Sequence, residues 1–435
     1  MGIDRKKSSR RTQTWLALIV LAGGLLIAAI GGLWAYMSAT ATPLHPDPRN
    51  VPSVTHSVPS PVWADSVEQG RQIARAGLIE QNLPGLSVAV GVGGQIVWAE
   101  GFGWADLGSH ELDFTGNLAQ GDALKNKNHV DVSPDTRFRI VGVSMALTSA
   151  AVGLLVEKGR LKLDDEIQTY VPAFPKKEWP VTLRQLMAHV AGVVNDGGDD
   201  APLLARCERT LDALQEEDRF AERPLLFEPG TRYRYSTYGW IVVSAAVEAA
   251  ANETFFRFMR SQIFEPLRMD DTLPESWTEP IPNRATSYHP RFAADTRYGP
   301  DLVGEGDHSC FSGAGAFLST PSDLVRFGMA MSGGKLLQPA IVKVLQTPQR
   351  LASGEETTSG LGWRLETIPL AGEPARLARQ DDRRSVGGTT SLLTFPERGL
   401  VVAVTSNITF ADTSAVAVKI AQVFAEQGRS SAHRE

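Results

Sequence analysis

The chain has 435 residues, of which 43% are hydrophobic, 8% aromatic and 21% charged, and its formal net charge is -6. That is enough apolar material for one large folded domain, with ordinary globular composition. The acidic balance and the lack of a basic face or polyelectrolyte tail exclude a nucleic-acid partner.

The N-terminus is the one strongly asymmetric stretch. Residues 1–14 carry Arg5, Lys6, Lys7, Arg10 and Arg11, and the run Trp15–Met37 that follows is 23 residues without a charge. About 20 apolar residues suffice for a helix to cross a bilayer. A basic flank of this kind stays on the cytoplasmic side, so residues 15–37 read as a transmembrane anchor with the remainder outside the cytoplasm, on the periplasmic or extracellular side. The competing reading is a cleaved signal peptide, because Ala39-Thr40-Ala41 resembles a cleavage site, although signal cores run to only about 7–15 apolar residues. Residues 38–62, with Pro43, Pro46, Pro48, Pro52, Pro59 and Pro61, read as a semi-extended linker.

The folded domain is expected over residues 63–430, followed by a polar tail at 431–435. Residues 64–82 form an amphipathic pattern. From Leu86, apolar residues alternate on either side of Gly93-Gly94, the signature of a β-hairpin on a glycine turn. Residues 107–133 read as a polar surface loop. Helical periodicity occupies 138–159, and the middle of the chain to about Ser332 reads as helix and loop. TSLLTF and LVVAVTSN, separated by Pro396-Glu397-Arg398-Gly399, form a second hairpin pattern, and Thr413–Gln427 is amphipathic. Strands at both ends with helices between them imply an α/β (α+β) fold. One sheet is built from both termini, with a mostly helical insertion. Cys207 and Cys310 are either a disulfide in an oxidising compartment or two unrelated core thiols. The scattered histidines form no zinc spacing, and nothing calls for a cofactor.

Six strings occur in order: SPDTRFRIVGVSMALTSAAVGLLVEKGRLKLDDEIQTYVP, VTLRQLMAHVAGV, FEPGTRYRYSTYGW, FEPLRMDDT, GAGAFLSTPSDLVRFG and SVGGTTSLLTFPERG. Together they resemble the serine β-lactamase-like, penicillin-binding family, which includes class C β-lactamases and D-alanyl-D-alanine carboxypeptidases. The resemblance is greatest to the mitochondrial serine β-lactamase-like branch and spans about residues 63–430. It implies the β-lactamase/transpeptidase-like fold and acyl transfer as the ancestral chemistry. In such enzymes a serine opening a helix attacks a carbonyl, and a lysine at i+3, on the same helix face, helps take its proton.

This chain departs from that pattern at the residues that matter. Laid on FRIVGVSMALT, the serine falls on Gly142 and the lysine on Met145. Ser144 does not rescue the motif, since its i+3 residue is Leu147 and it sits about 200° around the helix from position 142. Tyr235-Ser236-Thr237 keeps the tyrosine of the second motif. The third motif, ordinarily Lys-Thr-Gly or His-Thr-Gly, reads Ser385-Val386-Gly387-Gly388. A lysine usual in the branch falls on or near Phe311. The resemblance also places an oxyanion hole at the backbone N–H groups of Gly142 and Gly388, which side-chain loss does not touch.

These residues imply an inactive relative whose pocket, lined by Gly142, Tyr235, Thr237, Gly387 and Gly388, binds a peptidoglycan-type peptide, a β-lactam or another small acyl ligand, or which serves as a scaffold. Two alternatives stand beside it. One is an active hydrolase with a relocated nucleophile, Ser385 or Ser312, served by Tyr235 or His308. The other is a purely structural interaction module, with Met145 filling the old pocket.

Overall fold

The computed structural model describes residues 4–108, 128–195, 207, 210, 212, 214, 220–275, 280–304, 307–382 and 386–432. Its first element, helix α1 (Asp4–Thr40), holds the apolar run, whose side chains are almost all exposed along its length. Helix α2 (Ala64–Glu80) opens the folded body. Strands β2 (Gly85–Val92) and β3 (Gln95–Asp106) follow as the expected hairpin. Gly93 and Gly94 both take positive φ, 58° and 87°, which the tight turn between twisted strands requires.

The C-terminal part supplies β4 (Arg364–Leu370), β5 (Glu373–Asp382), β6 (Thr389–Phe395) and β7 (Leu400–Ser406). The strands form one antiparallel sheet in the order β1-β3-β2-β7-β6-β5-β4, with β1 (Ser53–Thr55) at one edge and Val130–Asp131 added against β3. The sheet is therefore built from both chain ends, as expected. The β4–β5 hairpin was not legible in the sequence: Pro369, Pro374 and several charges interrupt the strand pattern of these edge strands.

Alternation along the strands sorts the core. Val402, Val404, Val88 and Val90 face α2 and the last helix, α6 (Thr413–Ala432), meeting Val67, Leu78, Ile420 and Phe424. Val401, Ala403 and Ala89 face the helical half, which includes α3 (Ser144–Glu157), α4 (Thr237–Ala251) and α5 (Pro321–Ser332). Each such buried Val or Leu contributes about 1.5–3 kcal/mol.

Three local features differ from the sequence expectations. The helix expected over 138–159 begins only at Ser144, because Phe138–Arg139 pairs as a short strand with Leu318 and Ser319 and Val141 breaks the helical backbone with φ 28°. The middle of the chain also contains short strands at Leu273–Pro274, Tyr288–Pro290, Pro300–Leu302 and Phe317–Ser319. The proline-rich segment is fastened to the domain at several points. Leu44 N–H donates to Asn82 Oδ1 at 2.7 Å, and β1 pairs with β3 from Ser53↔Phe102 to Thr55↔Glu100. Of the loop expected at 107–133, residues 109–127 lie outside the described residues, as do Ser385 and 433–435 of the tail.

Candidate ligand site at the head of helix α3

Strand Phe138–Arg139 delivers the chain to a tight 3-10 turn, Val141–Val143, from which α3 starts. Gly142 lies in that turn, and its carbonyl accepts a bond from Gln380 Nε2 at 3.4 Å. Position 142 offers no hydroxyl. Met145 is fully buried in the helical core. Ser144 is also fully buried, and its Oγ has no hydrogen-bond partner, so no base reaches the one hydroxyl on this turn. Thr148 Oγ1 instead ties α3 to its surroundings through the carbonyls of Ser144 and Gly313, at 3.0 and 2.9 Å.

The Tyr-Ser-Thr motif caps α4. Ser236 Oγ accepts from Gly239 N–H at 3.0 Å and donates to the Val194 carbonyl at 3.1 Å, while Thr237 N–H donates to Asn195 Oδ1 at 2.8 Å. Tyr235 stacks on His189, with ring centroids 4.7 Å apart. His189 Nδ1 accepts from Ser236 N–H at 3.1 Å, so the ring proton sits on Nε2. Burial lowers the His189 pKa to about 3, which keeps it neutral. A line of contacts joins Tyr235 to α3. His189 packs on Trp240, and a Cβ added at Gly362 would lie 2.7 Å from Trp240 and 3.0 Å from the Met145 carbonyl.

The third motif meets the first through Arg139. Arg139 Nη1 donates to the Val386 carbonyl at 3.2 Å, and Thr390 Oγ1 donates to the Arg139 carbonyl at 3.2 Å. Gly387 has φ 83°, its N–H is held by Thr409 Oγ1 at 2.8 Å, and a Cβ there would come within 2.5 Å of Ser287 Cβ. Only glycine fits this turn. Gly388 lies beside Arg139, three residues before Gly142: a Cβ at Gly388 would be 3.3 Å from the Arg139 carbonyl. The third motif therefore lies against the strand residue from which the chain runs into the Gly142 turn.

Arg139 also belongs to a buried ion cluster that the sequence reading missed. Arg139 Nε lies 2.8 Å from both carboxylate oxygens of Glu275, with the two side chains 3% and 1% exposed. Arg284 binds the same carboxylate. Burial acts to raise the Glu275 carboxyl, but Arg139, His308 and Arg284 outweigh it and hold it below its usual value. His308, near this cluster, falls to about 4 through burial and the charge of Arg139. The partners are 136 residues apart in sequence, so no local pattern announces the pair. Arg139 lay inside a quoted motif; Glu275 did not.

Phe311 is 4% exposed and stacks against His308, with centroids 5.9 Å apart. A Cβ added at Gly315 would touch Val141 Cγ1 at 3.2 Å and Phe311 Cβ at 3.8 Å. Gly315 therefore has both Phe311, the place expected for a lysine, and Val141, the residue preceding position 142, as hydrocarbon neighbours. Cys310, next to Phe311, is bonded to Cys207 with Cα atoms 4.8 Å apart. Ser312 is 1% exposed, and its Oγ reaches Thr210 Oγ1 and the Ser309 carbonyl at 3.4 and 3.5 Å, with no basic group among these neighbours.

Comparison with known proteins identifies the family and the fold. The family model described as Beta-lactamase matches residues 67–425. The chain is 26% identical over 466 residues to the human "Serine beta-lactamase-like protein LACTB, mitochondrial", covering 83% of this chain and 80% of that protein. It is 26% identical over 298 residues to "Penicillin-binding protein 4*" of Bacillus subtilis (strain 168), covering 66% of this chain and 60% of that protein. Among solved structures, FmtA from Staphylococcus aureus shares the fold with a TM-score of 0.64 at 17% identity, over 87% of this chain and 93% of that one. The octameric penicillin-binding protein homologue from Pyrococcus abyssi does so with a TM-score of 0.63 at 21% identity, over 81% and 76%.

Proposed function

Because the chain belongs to the beta-lactamase family, we propose that it is a membrane-anchored member that has lost acyl transfer and keeps its site for binding or scaffolding outside the cytoplasm. The observation that carries this is the pair Gly142 and Met145: the first removes the nucleophilic oxygen, and the second puts a buried thioether where the activating amine belongs. Losing an activated nucleophile from such a unit typically costs about 10⁶ in turnover. What stays is backbone chemistry. Arg139, on the strand that leads into the Gly142 turn, lies against the turn at Gly387-Gly388. N–H groups there suit a carbonyl or carboxylate, as in a peptidoglycan-type peptide, a β-lactam or another small acyl ligand. Similarity to penicillin-binding protein 4* supports that ligand class. The apolar run of α1 supports the anchor, and the bonded Cys207–Cys310 pair suits a domain in an oxidising compartment.

A second reading, a structural module with a filled site, is favoured by buried Phe311 and by fully buried Met145. A relocated nucleophile gains no support from Ser144 or Ser312, whose hydroxyls meet no base.

The test uses the full chain in detergent. It is exposed to a fluorescent penicillin and read by intact mass, beside the double variant Gly142→Ser/Met145→Lys, and it is titrated with a D-Ala-D-Ala peptide under thermal melting. No adduct on the natural chain, with a melting shift on titration, supports the binding reading. No adduct and no shift leaves the structural module. An adduct on the natural chain overturns both.

A further inference from the structure

The C-terminal end of α1 does not stand clear of the domain. Trp34 Nε1 donates to Tyr298 OH at 2.9 Å. Arg291 reaches the Thr40 carbonyl and Thr40 Oγ1, both at 3.4 Å, and Met37 is buried at 7% exposure. Tyr298 in turn meets Phe292 edge-on, with centroids 5.4 Å apart. All these domain residues lie on one hairpin, in which Tyr288–Pro290 pairs with Pro300–Leu302.

The apolar run 15–37 is about 34 Å long as a helix, enough to cross the hydrocarbon core. Trp15 stands at one end of it and Trp34 and Tyr36 at the other, the arrangement of side chains that settle at the two membrane–water boundaries. A residue hydrogen-bonded to Trp34 is then at headgroup depth. The segment after the helix cannot lift the domain away, because Leu44 is held by Asn82, and His45 Nε2 donates toward the Leu83 and Pro84 carbonyls while its ring stacks on Trp104 at 4.4 Å.

We infer that the hairpin Tyr288–Leu302 rests on the surface of a phospholipid bilayer, with its 291–299 turn in the headgroup layer. This rests on the anchor reading of α1. The chemistry of the turn fits that layer. Phe292 and Tyr298 are amphipathic or apolar rings, and Arg291 makes no ion pair with a carboxylate among the described residues, so lipid phosphate is its counter-ion. Arg297 is already paired with Asp295.

The contact also orients the ligand site. Val303 N–H donates to the Ser287 carbonyl at 3.0 Å, and Ser287 abuts Gly387. From Ser287 to Arg291 the chain spans at most about 14 Å. The same level of the sheet runs Ser53↔Phe102, Phe102↔Leu86, Leu86↔Ser406 and Ser406↔Thr389. The third motif thus stands at the membrane-facing end of the strands, and the turns at Gly94 and Glu397 stand at the far end.

The experiment labels single cysteines in the full chain, with the native disulfide intact, using an environment-sensitive fluorophore. The positions are Leu21→Cys in the span, Ala293→Cys at the exposed hairpin tip and Glu397→Cys at the far pole. Each protein is reconstituted in phosphatidylcholine–phosphatidylglycerol vesicles carrying nitroxide either on the headgroup or deep in the acyl chain. The expected result is deep quenching at Leu21 and headgroup quenching at Ala293 several-fold above that at Glu397. If Leu21 is quenched while Ala293 is quenched no more than Glu397, the hairpin contact is overturned and the anchor stands. If Leu21 is not quenched by the deep probe, the anchor and the contact fall together.

Discussion

The guanidinium of Arg139 is clamped between the carboxylate of Glu275, 2.8 Å from each oxygen, and the carbonyl of Val386, 3.2 Å away. One side chain thereby couples the strand that leads into Gly142 to the turn that carries Gly387 and Gly388. Removing one partner strands a buried charge, which typically costs about 3–5 kcal/mol. Glu275→Leu is expected to lower stability by that amount in urea denaturation, and Glu275→Gln by less, because the amide still accepts from Arg139. The carboxyl of Glu275 is held below its usual value. Its stabilisation is therefore complete above the ordinary carboxylate range and is lost as pH falls through the depressed value. Glu275→Gln should flatten that acid limb of the stability curve.

Three buried histidines give a pH dependence of the same sign over a higher pH window. Burial lowers His189 to about 3 and His45 to about 4, and burial with the charge of Arg139 lowers His308 to about 4. The unfolded chain takes up these protons near pH 6.5, while the folded chain refuses them until the lower values. Stability should fall by about 1.4 kcal/mol per pH unit for each histidine as pH drops from roughly 6.5 toward 4. Stability measured at several pH values should show this slope, and His189→Asn should remove its share of it.

The disulfide joins residues 103 apart. Closing so long a loop is worth about 4–5 kcal/mol by chain entropy. The variant Cys207→Ser/Cys310→Ser, or reduction with dithiothreitol, should lower the melting temperature accordingly. Because Phe311 follows Cys310, it should also raise hydrogen exchange over 309–315. A melting temperature unchanged by reductant would contradict the pairing.

Met145→Lys alone inserts an amine into a fully buried position where position 142 has no hydroxyl to meet it. The expected cost is about 3 kcal/mol or more, the penalty of burying an unpaired polar or charged group. Adding Gly142→Ser should recover part of it, since the hydroxyl accepts from the amine. A single variant as stable as the natural chain would show that space and partners for a lysine survive around α3.

Gly142, Met145, Tyr235 and Gly387-Gly388 follow from short strings and their order in the sequence. The structure starts the helix only at Ser144, because Phe138–Arg139 is claimed by strand pairing with Leu318 and Ser319, and it holds Gly387 in a turn just before the strand that begins at Thr389. His189 was within reach of the same reasoning, since it lies in VTLRQLMAHVAGV, yet only its stacking on Tyr235 reveals its place.

The alternating strands, the glycine turns, the apolar run at the N-terminus and the glycine and methionine at positions 142 and 145 were determined by the sequence alone, because each depends on residue identity and near-neighbour spacing. Tertiary structure decided the rest. It paired Cys207 with Cys310, gave Glu275 to both Arg139 and Arg284, and set Val141 against Phe311 across Gly315. It also fastened residues 44–55 to the domain, through Leu44 on Asn82 and the pairing of β1 with β3. These contacts join parts of the chain far apart in sequence, and no periodicity records them. They follow from burial, which places distant polar groups where only one another can satisfy their hydrogen bonds.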